Sequence, residues 1–268
     1  EIMRRAADGG FGLVVSLEWI HGEPMQKIAP DYPDTNFVIM NQTREGDNLA
    51  SVVFAEHQGS YLAGALAAQV TTDTSIEGIN ADPVIGVIGG VKSPGIDKFI
   101  VGYIQGAKAV NPDIDVKVAY AESFGDPAKG EQLAKAMFAE GADIVYQVAG
   151  GTGIGIIEAA KAEGRYAIGV DTDQDSMAPG HVLTSMVKRV DVAVEKILED
   201  YAGGAFPGGQ VLTFGLKENG VALSDMEHTK DRIPAAYLDK VEELKAGIVD
   251  GSVEVWDVTE KGYPDFYN

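Results

Sequence analysis

Four stretches carry residue types and spacings that could do chemistry. Tyr146-Gln-Val-Ala-Gly-Gly-Thr-Gly-Ile-Gly155 runs from an apolar strand through a glycine-rich turn into a helix. The free N–H groups of such a turn suit an anion or a ligand hydroxyl. The glycines miss the G-x-G-x-x-G spacing of a dinucleotide fingerprint, because Ile156 stands where the third would fall, and no Lys-Ser/Thr follows to make a P-loop. Taken alone, a tight βα turn is the simpler reading. Gly169-Val-Asp-Thr-Asp-Gln174 ends a strand, where open α/β sheets bind ligands. Its two Asp either accept hydrogen bonds from sugar hydroxyls, hold a hard cation, or serve as ordinary helix-capping loop acids. In Ser123-Phe-Gly-Asp-Pro-Ala-Lys-Gly130, Asp126-Pro127 is a helix start, which leaves Phe124 as either core or a stacking plate for a planar ligand. In Thr184-Ser-Met-Val-Lys-Arg-Val-Asp191, Lys188 and Arg189 are adjacent cations, either a solvated pair or a ligand contact.

Catalytic constellations are poor. His21, His57, His181 and His228 fall at no metal-ligand spacing, and the G-x-S-x-G elbow of an α/β-hydrolase is absent. With no Cys, disulfides, thiol nucleophiles and thiolate metal sites are excluded. The expectation is binding without catalysis, metal or cofactor. Asp+Glu number 41 against 21 Lys+Arg, a net charge of −20 that disfavours phosphate backbones and so a nucleic-acid partner. No run reaches the ~20 apolar residues of a membrane span.

These stretches sit in a regular alternation of strand, loop and helix. Leu13–Ser16, Asn36–Met40, Val84–Gly89, Asp115–Ala121, Asp143–Val148, Tyr166–Val170 and His181–Val187 read as strands. Helices are expected over Glu1–Asp8, Glu23–Tyr32, Gln58–Val70, Pro94–Val110, Ala128–Glu140, Thr152–Glu163, Val190–Tyr201 and Tyr237–Val249. No strand is assigned between Met40 and Gln58, and Gln210–Leu216 with Gly220–Leu223 reads as a late β pair. Continuous apolar strands such as Val84–Ile88 are the mark of a parallel sheet covered on both faces, so the fold class is α/β. The polar, helix-breaking segment from Thr71 to Pro83 is the expected boundary between two series of strands and helices. A second candidate boundary is Asp173–Gly180.

In this order the sequence resembles the basic membrane lipoprotein, or PnrA-like, family of ABC transporter substrate-binding proteins. The resemblance rests on Glu56-His-Gln-Gly-Ser-Tyr-Leu-Ala-Gly64, on Ile88-Gly-Gly-Val-Lys-Ser-Pro-Gly-Ile96 with Gly102-Tyr103, and on the four stretches above. It implies a type I periplasmic-binding-protein fold, with a nucleoside, a purine above all, held in a cleft between two lobes and captured by hinge closure. Phe124 would be the aromatic plate of the second lobe, Asp171 and Lys188 would hold the ribose hydroxyls, and Gly150 or Gly151 would let the backbone approach the sugar. Asn48 is a candidate for reading the base edge, and Trp19 and Ser16 for lining the cleft. The family begins with a strand–loop–helix unit that is expected upstream of Glu1. The implied partners are a nucleoside and an ABC permease, with the protein a monomer on the extracytoplasmic side, tied to the membrane only by a lipid.

The expected organisation is a first lobe of residues 1–82 plus about 187–216 and a second of 83–186, with 217–268 unassigned. The alternatives are the same fold binding a sugar or other polar metabolite, an α/β enzyme, and the ligand-sensing half of a transcription regulator.

Overall fold

The computed structural model describes residues 1–267. The chain opens with α1 (Ile2–Asp8), β1 (Leu13–Ser16), α2 (Gly22–Ile28), β2 (Asn36–Met40) and β3 (Leu49–Phe54). It continues through α3 (Glu56–Val70), β4 (Val84–Gly89), α4 (Pro94–Val110), β5 (Asp115–Tyr120), α5 (Pro127–Ala139) and β6 (Ile144–Val148). Then follow α6 (Gly153–Ala162), β7 (Tyr166–Asp171), β8 (Val182–Lys188), α7 (Val190–Ala202), β9 (Val211–Phe214) and β10 (Val221–Leu223). The last helices are α8 (Ala235–Asp250) and the short α9 (Val258–Lys261). None among the described residues is long and apolar enough to cross a membrane. The chain divides into unit 1, residues 1–55 and 189–220, and unit 2, residues 56–188 and 221–267.

Unit 1 is built on a parallel sheet in the order β1-β2-β3-β9. Its central strands are buried along nearly their whole length, as the apolar run Phe37-Val-Ile-Met40 requires. Met3 and Ala7 of α1 and Met25 and Ile28 of α2 pack with Phe37, Ile39 and Leu49. The Asn48 amide then closes the loops beside that core, its Nδ2 donating to the carbonyls of Ala29, Tyr32 and Thr35 at 2.8–2.9 Å.

Unit 2 holds six strands in the order β10-β8-β7-β6-β4-β5, all parallel except β10. The chain steps from β4 to β5 on one side, then returns to β6 on the other. That reversal is the topological switch point at which open α/β sheets bind ligands. One face is covered by α5 and α6, whose Met137, Phe138, Ile156 and Ala160 pack with Ile88 and Val145. On α3 and α4 the glycines permit a close crossing: a Cβ at Gly64 would run into the Tyr103 carbonyl, and one at Gly106 into that of Tyr61. The loop after α3 is pinned by the buried Asp143, whose carboxylate accepts from Thr71 Oγ1 (2.6 Å) and the Asn80 N–H (3.1 Å). Burial pushes the Asp143 carboxyl up to about 6, against the pull of those two donors. The C-terminal segment is tied down by Trp256 N–H to Gln105 Oε1 (2.8 Å) and Tyr263 Oη to Asp97 Oδ2 (2.6 Å).

Three features differ from the sequence expectation. The strand β3 lies where none was assigned, in a run whose Ala50 and Ser51 dilute the apolar signal although both are fully buried. The two late strands do not pair with each other: β9 extends the unit 1 sheet beside β3, and β10 runs antiparallel to β8 in unit 2. The division between units falls at residues 55 and 56, not in the 71–83 loop, because α3 packs on α4 and α8 of unit 2. Residues from 221 on, left unassigned by the sequence, belong to that unit too.

Candidate functional site

The carboxyl ends of five adjacent strands of unit 2 carry the candidate residues in a row. Lys188 is the last residue of β8 and Asp171 the last of β7. Gly150 and Gly151 follow β6, Gly90 follows β4, and Phe124 lies beyond the end of β5. Neighbouring strands stand about 4.8 Å apart, so the row follows the sheet edge across the switch point.

At one end, Phe124 is 49% exposed and its ring lies against Gly90, where any Cβ would collide with it. The Phe124 loop and the glycine loop are stitched together by Thr152. Its N–H donates to the Phe124 carbonyl (3.2 Å), its hydroxyl donates to the Ser123 carbonyl (3.0 Å), and the Asp126 N–H donates to that hydroxyl (2.9 Å). Gly150 has φ +55°, a left-handed turn that glycine adopts without steric cost, and sits against the Phe124 side chain. An aromatic face and an open backbone are thereby held side by side.

At the other end, Lys188 Nζ stands 3.3 Å from Asp171 Oδ1 and 3.3 Å from Glu56 Oε1. It also lies 5.7 Å from the Phe99 ring centroid, a cation–π distance. The Lys188 side chain is 12% exposed and Asp171 54%, so the carboxylate faces solvent and the ammonium is tucked behind it. Burial lowers the Lys188 pKa, but Glu56 and Asp171 outweigh it and the ammonium ends above its ordinary value. Asp171 itself has φ +65°, a left-handed conformation that Asp tolerates better than most side chains. Gln147 Nε2 donates to Gln174 Oε1 (2.7 Å), which also accepts from the Val170 N–H (3.0 Å), and so ties the end of β6 to that of β7. Gln174 N–H in turn donates to Ser185 Oγ on β8 (3.1 Å).

The adjacent cations of the sequence have opposite fates. Lys188 turns inward to two carboxylates, whereas Arg189 makes a surface pair with Asp191 (2.7 Å). Sequence reasoning missed Glu56. The signal was present, since Glu56 opens the Glu56–Gly64 stretch that carries the family resemblance, but a carboxylate in so acidic a chain gave no reason to single it out. Glu56 also pairs with Lys98 (3.3 Å), and Lys98 with Asp257 (3.1 Å). Beside them, burial foremost, with the nearby Lys98 cation, depresses the His57 imidazole to about 4. It is therefore neutral near pH 7, although its Nδ1 lies 3.5 Å from Asp257 Oδ2.

Ser16, Trp19 and Asn48 belong to unit 1. Ser16 Oγ is hydrogen-bonded to His21 Nδ1 (2.8 Å), and Trp19 is 66% exposed while its carbonyl accepts from Gln42 Nε2 (2.6 Å). The Asn48 NH2 group is engaged by the three carbonyls described above, a structural task that its sequence context did not reveal. Among the described residues no three metal-ligating side chains converge.

Taken together, the row offers an aromatic face, backbone N–H groups, a carboxylate acceptor and an ammonium donor, which suits an uncharged ligand with a planar part and hydroxyls. Comparison with known proteins places the chain in a family. The family model for PnrA-like ABC transporter substrate-binding proteins matches residues 1–257. The chain is 35% identical over 270 residues to the CD4+ T-cell-stimulating antigen of Listeria monocytogenes, covering 94% of this chain and 72% of the relative. It is also 35% identical over 268 residues to the ABC transporter nucleoside-binding protein BmpA of Lactococcus lactis, covering 93% and 72%. Among solved structures, an ABC transporter solute-binding protein from Aeropyrum pernix aligns with a TM-score of 0.83 at 27% identity, over 96% of this chain and 80% of that one.

Proposed function

The chain belongs to the PnrA-like family of ABC transporter substrate-binding proteins, and from that premise we propose that it captures a nucleoside, most readily a purine nucleoside, for an ABC importer. The observation that carries this reading is the row along one sheet edge in unit 2, with Phe124 at one end and Asp171 and Lys188 at the other. A half-exposed ring gives a base a face to stack on. Asp171 accepts from vicinal ribose hydroxyls while the Lys188 ammonium donates to them. The glycines at 150 and 151 leave room and N–H groups for the sugar between. The name of the Lactococcus relative points the same way. The partner would be the permease of the importer, met by a monomer that a lipid anchors outside the cytoplasmic membrane.

A thermal-shift and calorimetric panel of nucleosides, free bases, nucleotides and sugars on the purified protein tests the reading. A ligand that binds only the folded state raises stability by RT ln(1 + [L]/Kd), about 2.7 kcal/mol at 100 Kd. The expected result is a shift with nucleosides and none with ribose or nucleotides. Binding of a sugar with no nucleoside response would overturn the base and retain the polyol, since Asp171 and Lys188 suit either.

A further inference from the structure

We propose that Glu56 is a positioning residue of this ligand face, holding the Lys188 ammonium at Asp171 so that both meet the ligand's hydroxyls already oriented. The ligand part of this inference rests on the nucleoside reading; the geometry does not.

A lysine reaches its ammonium through a long flexible stem, and a donor that must be ordered on binding loses affinity to that ordering. Asp171 is a poor sole anchor, because more than half of its side chain is open to water. Glu56 is the buried anchor, 11% exposed, at the first position of α3. Its carboxylate is divided between two lysines, Oε1 facing Lys188 and Oε2 facing Lys98, each at 3.3 Å. Lys98 is held in turn by Asp257 at 3.1 Å. Charges therefore alternate along a chain of ion pairs: Asp171, Lys188, Glu56, Lys98, Asp257. Each neighbour compensates the next, which is what lets so many buried charges coexist. The plainer role for Glu56 is to neutralise Lys98 within the packing of unit 2, and the test separates the two.

Glu56→Gln, Lys188→Met and the double variant are titrated calorimetrically with inosine or adenosine and with the 2′,3′-dideoxy analogue. Glu56→Gln is expected to weaken the ribonucleoside about tenfold or more, and the dideoxy analogue by less than about threefold. In the Lys188→Met background the Glu56 substitution is expected to add nothing. Equal losses for both ligands, or the same loss without Lys188, would overturn the proposal in favour of the packing role. Titration of the lysine ε groups by NMR with 13C-labelled lysine needs no ligand. The Lys188 pKa should fall in Glu56→Gln, and an unchanged value would overturn the proposal whatever the ligand is. If no nucleoside binds the parent protein while that pKa falls, the nucleoside reading alone fails. Should Glu56→Gln not fold, Glu56→Gln with Lys98→Gln, compared against Lys98→Gln, gives the same readout with one buried cation fewer.

Discussion

At the carboxyl end of β1 in unit 1, Leu17, Trp19 and Ile20 stand exposed on a short turn held by two hydrogen bonds, Ser16 to His21 and Gln42 to the Trp19 carbonyl. At the carboxyl ends of β7 and β8 in unit 2, Lys188 stands between Asp171 and Glu56, the latter brought from the start of α3, while Gln174 joins the ends of β6, β7 and β8 through Gln147, the Val170 N–H and Ser185. Both ends are placed where parallel sheets bind ligands. The second differs in carrying a largely buried ammonium set between two carboxylates, Lys188 with Glu56 and Asp171. Preorganised donors and acceptors lose less entropy on binding, so the proposed function assigns the larger share of polar recognition to unit 2.

The comparison can be broken most forcefully at Lys188. Lys188→Met should weaken nucleoside binding roughly ten- to hundredfold, the range for charged hydrogen bonds, as read by calorimetry. Arg189→Ala, one residue along, should leave affinity unchanged, since its guanidinium is engaged by Asp191 at the surface. Phe124→Ala should cost about 1–3 kcal/mol of binding through lost stacking and little in melting temperature, because the ring is half exposed. Phe124→Tyr should restore most of the affinity.

Two buried groups of unit 2 sharpen the contrast through pH. The Asp143 carboxyl is raised to about 6 from 3.8, so its contribution to stability is full below the unfolded value and is lost as pH rises through about 6. The His57 imidazole is lowered to about 4 from 6.5, so its contribution is present above 6.5 and is lost as pH falls towards 4. Between about pH 4 and 6 the two slopes oppose, each at most about 1.4 kcal/mol per pH unit. Asp143→Asn should therefore show stability rising with pH across that window, and His57→Gln should show it falling, in denaturant titrations at several pH values. If both variants keep the parent's slope, the buried charges of unit 2 are not what sets its pH dependence. The smallest effect is expected in unit 1: Trp19→Ser should change folding stability by no more than about 0.5 kcal/mol, as chemical denaturation would show. A loss of nucleoside affinity in Trp19→Ser comparable to that of Phe124→Ala would erase the contrast between the two sheet ends.

Much of the fold was legible because α/β structure writes itself locally. Runs such as Val84-Ile-Gly-Val-Ile-Gly89 announce strands covered on both faces, and Asp126-Pro127 announces a helix start. The strand β3 was missed because burial, not composition, makes Ala50 and Ser51 strand residues. The fate of β9 and β10 was hidden for a related reason. A hairpin between neighbours is the simplest reading of two short runs, but both strands find partners far away, at β3 and β8. In the site, Phe124, Asp171 and Lys188 could be singled out by type and by position at strand ends. Glu56 could not, because its role is defined only by the lysines it meets.

By itself the sequence determined the α/β class, the order of the elements apart from β3, the family and the residue types at the strand ends. Those follow from hydrophobic periodicity, turn chemistry and motif order, which act over a few residues at a time. Tertiary structure alone decided that α3 joins unit 2, that Asn48 is spent on three backbone carbonyls, and that Lys188 faces inward while Arg189 faces out. The physical reason is that a charge or an amide takes its role from whatever stands within about 3–4 Å of it. Here those neighbours, Glu56 for Lys188 and Asp257 for Lys98, come from more than 100 residues away along the chain.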